Sequence, residues 1–343
     1  MRQPETHSAP VPAEDSKAQA APAVGPMAPV DPAVPVAGPM APADPAVPAE
    51  VPWREIMVYL AIAFGASWVL WAPIVFGWIA PGTGLAGTDA GPVALAVAAG
   101  SMLAPSIAVL TVVRWVRRPV SIPLSTGLAP LGPRGRLIGH CLLALVMFPA
   151  LGVLTLVLGS MLGRYHFDLT GLSGMRTALQ LGPDAPVAGP ALATALLMFL
   201  PGLPLMFGEE WGWRGYLEPR LQPLGIVPMV AISGFVWGIW HLPAAFVAGR
   251  DPAVWLPAYV IDCTLIGALL CWLRLRTRTI WPAVLGHAAI SGFPVPVLAA
   301  WLADADRPYD EFAVESLGGW VSWILKAVLV IVLIVTGRFR PLR

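Results

Sequence analysis

Eight apolar segments, each near the ~20 residues that a helix needs to cross the hydrocarbon core of a bilayer, leave this chain one broad class of fold. They fall at about 56–79, 92–113, 137–162, 191–216, 228–247, 255–273, 280–303 and 318–336. No water in hydrocarbon can satisfy a peptide group, so such segments cross as helices. A soluble globular domain carries about 25% charged residues. Here the charged share is 12%, the hydrophobic share 57% and the mean hydropathy +0.72. The sequence predicts an all-α, polytopic transmembrane helix bundle in the cell membrane, in contact with the lipid bilayer. A net charge of +1 gives no argument for a nucleic-acid partner, and none is expected. Cys141, Cys263 and Cys271 all lie in apolar segments without C-x-x-C spacing, so they read as packing residues rather than a disulfide framework.

The first 52 residues are a different material. Pro and Ala dominate them, and "GPMAPVDPAVPVA" (25–37) is followed at once by "GPMAPADPAVPAE" (38–50). Proline at this density removes backbone donors and blocks helix, so residues 1–52 read as a disordered, extended Pro/Ala-rich cytoplasmic tail. No P-x-x-P flanked by Arg marks them as a ligand for a proline-binding groove. The chain start has no apolar core of the signal-peptide kind, so the first membrane segment is expected to direct insertion. Residues 53–343 then form the transmembrane domain.

Arginine placement orients the bundle. Arg54, Arg114, Arg117, Arg118, Arg134, Arg136, Arg220, Arg274, Arg276, Arg278, Arg338, Arg340 and Arg343 fall on one alternating set of loops and ends. Arg164, Arg176, Arg250 and Arg307 fall on the other. Thirteen against four puts the first set, and both termini, in the cytoplasm. Trp53, Trp78, Trp255, Trp281 and Trp301 lie near segment ends, where an interfacial aromatic belt belongs.

Against that apolar background three groups of polar residues stand out. In the fourth segment, "EEWGWR" places Glu210 and Arg214 four residues apart on one helix face, the favourable order for an ion pair. Glu209 is rotated about 100° away and is left without an intrahelical partner. In the fifth, "WGIWH" puts Trp237 and His241 on one face; in the seventh, "HAAIS" does the same for His287 and Ser291. Ionisable groups inside membrane helices face a bundle interior or a wet cavity and mark function. Asp262 in the sixth segment reads as structural, paired with another helix or water. His140 lies near Arg134 and Arg136 and is expected to tune that end of the third segment.

These motifs, in this order on separate membrane helices, resemble the CAAX protease and bacteriocin-processing family of intramembrane proteases. The family pattern is E-E-x-x-x-R, then an aromatic-x-x-x-His, then His-x-x-x-Asn. Here the first is intact, the second has Trp237 where Phe is usual, and the third has Ser291 where Asn is expected. The likeness spans a core at about 191–303 and leaves the tail and the first three segments outside.

The resemblance implies an intramembrane endopeptidase acting on a membrane-associated peptide or protein, with Glu209, His241, His287 and Ser291 as site residues. Two mechanisms stay open. His241 and His287, with Glu209 or water, hold a divalent metal such as zinc; or Glu209 and His241 activate water directly, while His287 and Ser291 donate to the oxyanion. A serine hydroxyl is shorter and less fixed than an asparagine amide, so position 291 bears on turnover. Two other classes remain: a catalytically weak relative serving self-immunity or partner binding, and a proton-coupled transporter or channel. Against the transporter stands the lack of an evident repeat between the halves of the membrane region.

Overall fold

In the computed structural model the described residues are 44–79, 92–247, 251–292, 295–314 and 319–339. They form helices without a ladder of strands; one isolated bridge joins Phe167 to Ala303. The principal helices are α1 (Trp53–Val75), α2 (Pro92–Met102), α3 (Ala104–Thr111), α4 (Arg134–Met161), α5 (Ala188–Glu210), α6 (Ile226–Trp240), α7 (Leu242–Val247), α8 (Pro252–Thr277), α9 (Trp281–Gly292), α10 (Val295–Leu302) and α11 (Trp320–Val335). The fold is the expected polytopic transmembrane helix bundle. Among the described residues, five stretches are long and apolar enough to cross a membrane: 53–75, 92–116, 134–161, 188–224 and 253–277. α6 and α11 are shorter apolar helices.

Two of the eight segments are interrupted close to a proline. The second breaks at Leu103, just ahead of Pro105, and α3 then runs into a π-helical turn, Val112–Val116. The fifth breaks at His241, which caps α6 two residues before Pro243. A proline lacks the N–H that would continue the ladder and crowds the residue before it. In the seventh, α9 is described to Gly292 and α10 from Val295, and residues 293 and 294 lie outside the described residues.

The helices meet where small residues let them. Gly234 and Gly238, four apart on α6, face α8 so closely that an added methyl would overlap Thr264 or Val260. That small-xxx-small spacing is a membrane helix-packing device, because close backbone approach gains dispersion where no hydrophobic drive exists. α9 packs against both α5 and α4, α1 lies against α2 and α3, and α11 contacts α8 and α4. Val69, Val146, Leu197, Val227 and Val335 stay exposed on outward faces, as lipid-facing positions do.

Loop contacts agree with the alternation read from the arginines. Gly127 O accepts from Ile280 N at 3.0 Å and from Thr279 Oγ1 at 2.8 Å, joining two loops of the arginine-rich set. Glu55 at the start of α1 pairs with Arg117 at 3.0 Å and lies 3.7 Å from Arg220. At the other end Asp168 N donates to Leu302 O and Asp304 N to His166 O. Residues 1–43 of the Pro/Ala-rich stretch lie outside the described residues, as do Arg250, Arg340 and Arg343. The described chain begins nine residues ahead of α1: Ala46 is buried and Asp44 accepts from Arg274 at 2.9 Å.

Candidate active site

The fourth segment was expected to be one helix through 216. α5 instead ends at Glu210 and passes into a wider π-helical turn, Trp211–Leu217, with every residue of that turn buried. π-turns inside helices break the i→i−4 ladder and often accompany functional sites. Here the carbonyl of Gly208 accepts from Ser106 Oγ on α3 at 2.7 Å. Gly208 and Gly212 bring the backbones together: a methyl at the first would meet Met102 O, and at the second Pro105 and the Tyr59 hydroxyl. The "GEEWG" stretch is thus pressed against α3 through its two glycines, which leaves its carboxylates to meet other helices.

The expected ion pair is present. Arg214 Nη1 donates to Glu210 Oε1 at 2.8 Å, with both side chains essentially inaccessible. Sequence reading did not include Glu218, which is also buried and whose Oε1 lies 3.5 Å from Arg214 Nε. Positions 210, 214 and 218 repeat every four residues on one face, so the signal for a second carboxylate on the arginine was there. Ser233 Oγ on α6 also donates to Glu218, at 3.3 Å. Three carboxylates and one guanidinium do not balance, so protons and cavity water must compensate for part of the charge.

Glu209 points away from that pair. Its Oε2 accepts from Trp237 Nε1 on α6 at 2.8 Å. The guanidinium of Arg214 rests on the Trp237 ring, 4.2 Å from its centroid. His287 Nδ1 on α9 lies 2.8 Å from Glu210 Oε1. An ionised carboxylate only accepts, so Nδ1 is the donor and Nε2 is left for other work. His241 Nδ1 is 2.8 Å from the Trp237 carbonyl, which gives that ring the same polarity: Nδ1–H inward, Nε2 open.

Glu209, His241, His287 and Ser291, from three separate segments, line one cavity of about 300 Å³. Glu210 and Arg214 stand behind it. The rest of its wall is largely apolar, with Trp71 of α1, Met102 of α2, and Tyr259 and Ile266 of α8. A water occupies ~30 Å³ in the liquid, so the space holds several waters or a short stretch of peptide. Ser291 is exposed at this wall, while His287 and Glu209 are buried. The cavity is therefore built by α5, α6, α8 and α9, with α1 and α2 closing one side.

Among the described residues no three His, Cys, Asp or Glu side chains converge as a metal-ligand group. Both Nδ1 atoms and one Glu209 oxygen are already committed to other partners.

The two weaker candidates also find places. Asp262 on α8 accepts from Lys326 Nζ on α11 at 2.5 Å, both buried and away from the cavity lining. His140 Nδ1 lies 2.8 Å from Arg136 O and its ring is near Trp272, so it belongs to the end of α4 as expected.

Residues 190–293 match the family model described as Type II CAAX prenyl endopeptidase Rce1-like. No curated protein matches the chain. The matched region is under a third of the chain, yet it includes α5, the π-turn, α6 to α8 and α9, and with them every residue of the three motifs. Through that core, this membrane protein is similar to the CAAX protease family.

Proposed function

We propose that the protein is an intramembrane endopeptidase that cleaves a membrane-associated peptide or protein with water activated by Glu209. The observation that carries this reading is the convergence of Glu209, His241, His287 and Ser291 on one cavity. Glu209 takes a proton from the attacking water and returns it to the leaving amine as the tetrahedral intermediate collapses and the peptide C–N bond breaks. The open Nε2 of His241 orients that water from the opposite wall. His287, held at Nδ1 by Glu210, carries a second proton at Nε2 and donates it as a hydrogen bond to the tetrahedral oxyanion, with the Ser291 hydroxyl as a further donor. Glu210 and Arg214 are structural, keeping His287 and Trp237 in register. The arginine-rich ends and both termini face the cytoplasm of a cell membrane.

The test is cleavage of a membrane-presented peptide library by the purified protein, by the parent and by Glu209→Gln, each with and without a chelator. The variant keeps size and hydrogen bonding but is no base at working pH. Its turnover is expected to fall by about 100-fold or more. Near-parent cleavage by Glu209→Gln overturns the assignment. A parent rate abolished by chelator adds a divalent ion, such as zinc, to the mechanism. Ser291, in place of the asparagine of the resembling motif, favours one second reading: a relative that binds its peptide partner and turns it over weakly, as in self-immunity. Retained peptide binding by a parent that cleaves nothing is the outcome that selects it.

A further inference from the structure

We infer that Trp237 is the positioning residue for Glu209, through the indole N–H as well as through the ring. Glu209 is 1% exposed and lies in a helix interior where few donors are free to reach it. Its hydrogen bond comes from Trp237 Nε1 to Oε2, at 2.8 Å, across 28 residues of sequence and between two helices. A hydrogen bond to a charged acceptor in a low-dielectric site is among the stronger ones, and it fixes direction as well as distance. Holding Oε2 leaves Oε1 to face the cavity.

The ring itself is immobilised on several sides. Arg214 stacks on one face at 4.2 Å from the centroid. His287 meets it edge-on, 5.3 Å between centroids and 81° between planes. On α8, Gly267 leaves the necessary room: a methyl there would come to 3.2 Å from Arg214 Nη2 and 4.0 Å from the Trp237 ring. The guanidinium is fixed in turn by Glu210 and Glu218. The order of contacts is thus Glu218, Arg214, Trp237, Glu209, and a buried cation lies one ring away from the base. Phenylalanine, the aromatic usual in the resembling motif, could supply the packing and the cation–π face but has no N–H to give.

The proposal rests on Glu209 being the general base, and the experiment separates the two. Trp237→Phe, Glu209→Gln and the double variant are assayed for kcat and KM, with melting temperature as the check on folding. Indole N–H resonances of the ¹⁵N-labelled protein in detergent are recorded alongside; the Trp237 signal is the one absent from Trp237→Phe. Expected are a kcat lowered about tenfold or more in Trp237→Phe with KM within about twofold, an unchanged melt, no additional loss in the double variant, and a displaced Trp237 indole signal in Glu209→Gln. Glu209→Gln that cleaves like the parent overturns the base itself. Glu209→Gln that is inactive beside a Trp237→Phe with parental kcat overturns only the positioning role. An indole signal unmoved by Glu209→Gln removes the hydrogen bond. Trp237→Leu, which loses ring and donor together, is expected to reduce the folded yield because Arg214 loses its aromatic face.

Discussion

Two of the sets of buried charges among the described residues are arranged in opposite ways. At Asp262 and Lys326, one carboxylate of α8 meets one ammonium of α11, and neither side chain lines the cavity. Around Arg214, one guanidinium meets Glu210 and Glu218, while Glu209, about 100° round the helix from Glu210, opens on a cavity shared with two histidines. The first arrangement is closed and balanced in formal charge. The second is over-supplied with carboxylate and open on one side. Burial alone therefore does not mark a site. The imbalance is the distinguishing feature here, because the surplus acidic group opens on a cavity of about 300 Å³.

The comparison breaks most readily at Arg214. Removing one member of a buried pair typically costs about 3–5 kcal/mol, since the other charge is left uncompensated. Arg214→Ala strands two carboxylates, so it is expected at the upper end, seen as a sharp fall in folded protein recovered from membranes and in its melting temperature. Parent-like accumulation sinks the pairing argument. Lys326→Ala strands one carboxylate and is expected to cost about 3 kcal/mol. Asp262→Leu with Lys326→Met should return most of that stability, and activity per folded molecule should stay at the parent value throughout. A specific-activity loss in that double variant would tie the closed pair to the chemistry and erase the distinction drawn above.

Next in size is Glu209→Gln. Its expected turnover loss of about 100-fold corresponds to ~2.7 kcal/mol of transition-state stabilisation, with a melting temperature within about 1 °C of the parent. A large change in melting with little change in turnover would make Glu209 another structural charge. The smallest effect is expected at Asp168, in the loop after α4. Bonds from Ser173 first, then Gly171 and Thr170, hold its carboxylate well below the usual range. A group held low in the folded state contributes stability above its unfolded value, and that contribution is lost as pH falls through the folded one. Asp168→Asn should therefore melt about 1 °C below the parent at pH 7, and the gap should close only as pH drops below about 4.

Some of this was legible in the residues and some was not. The spans could be read because an apolar run of bilayer length has little else to become. Glu210 and Arg214 could be read because a four-residue spacing is a local fact of the helix. The bonds from Trp237 to Glu209 and from Lys326 to Asp262 could not, since 28 and 64 residues separate the partners and only packing decides which helices meet. Lys326 carried a signal of its own, a lone ammonium in an apolar helix, which asked for an acidic partner. The breaks at Leu103 and His241 are signalled by Pro105 and Pro243, but a window of bilayer length averages over them. Nothing local distinguishes the π-turn after Glu210 from ordinary helix.

The cavity wall has a two-part origin with a practical consequence. Glu209, His241, His287 and Ser291 come from residues 190–293, whereas Ser67, Trp71, Ser101 and Met102 come from α1 and α2, well upstream. The polar cluster and the opposite wall are thus encoded in separate blocks of the chain. Widening the chamber at Trp71 or Met102 alters its shape without touching a hydrogen bond of the acidic cluster. Such a layout lends itself to reshaping the chamber by exchange of one block, with the acidic cluster left as it stands.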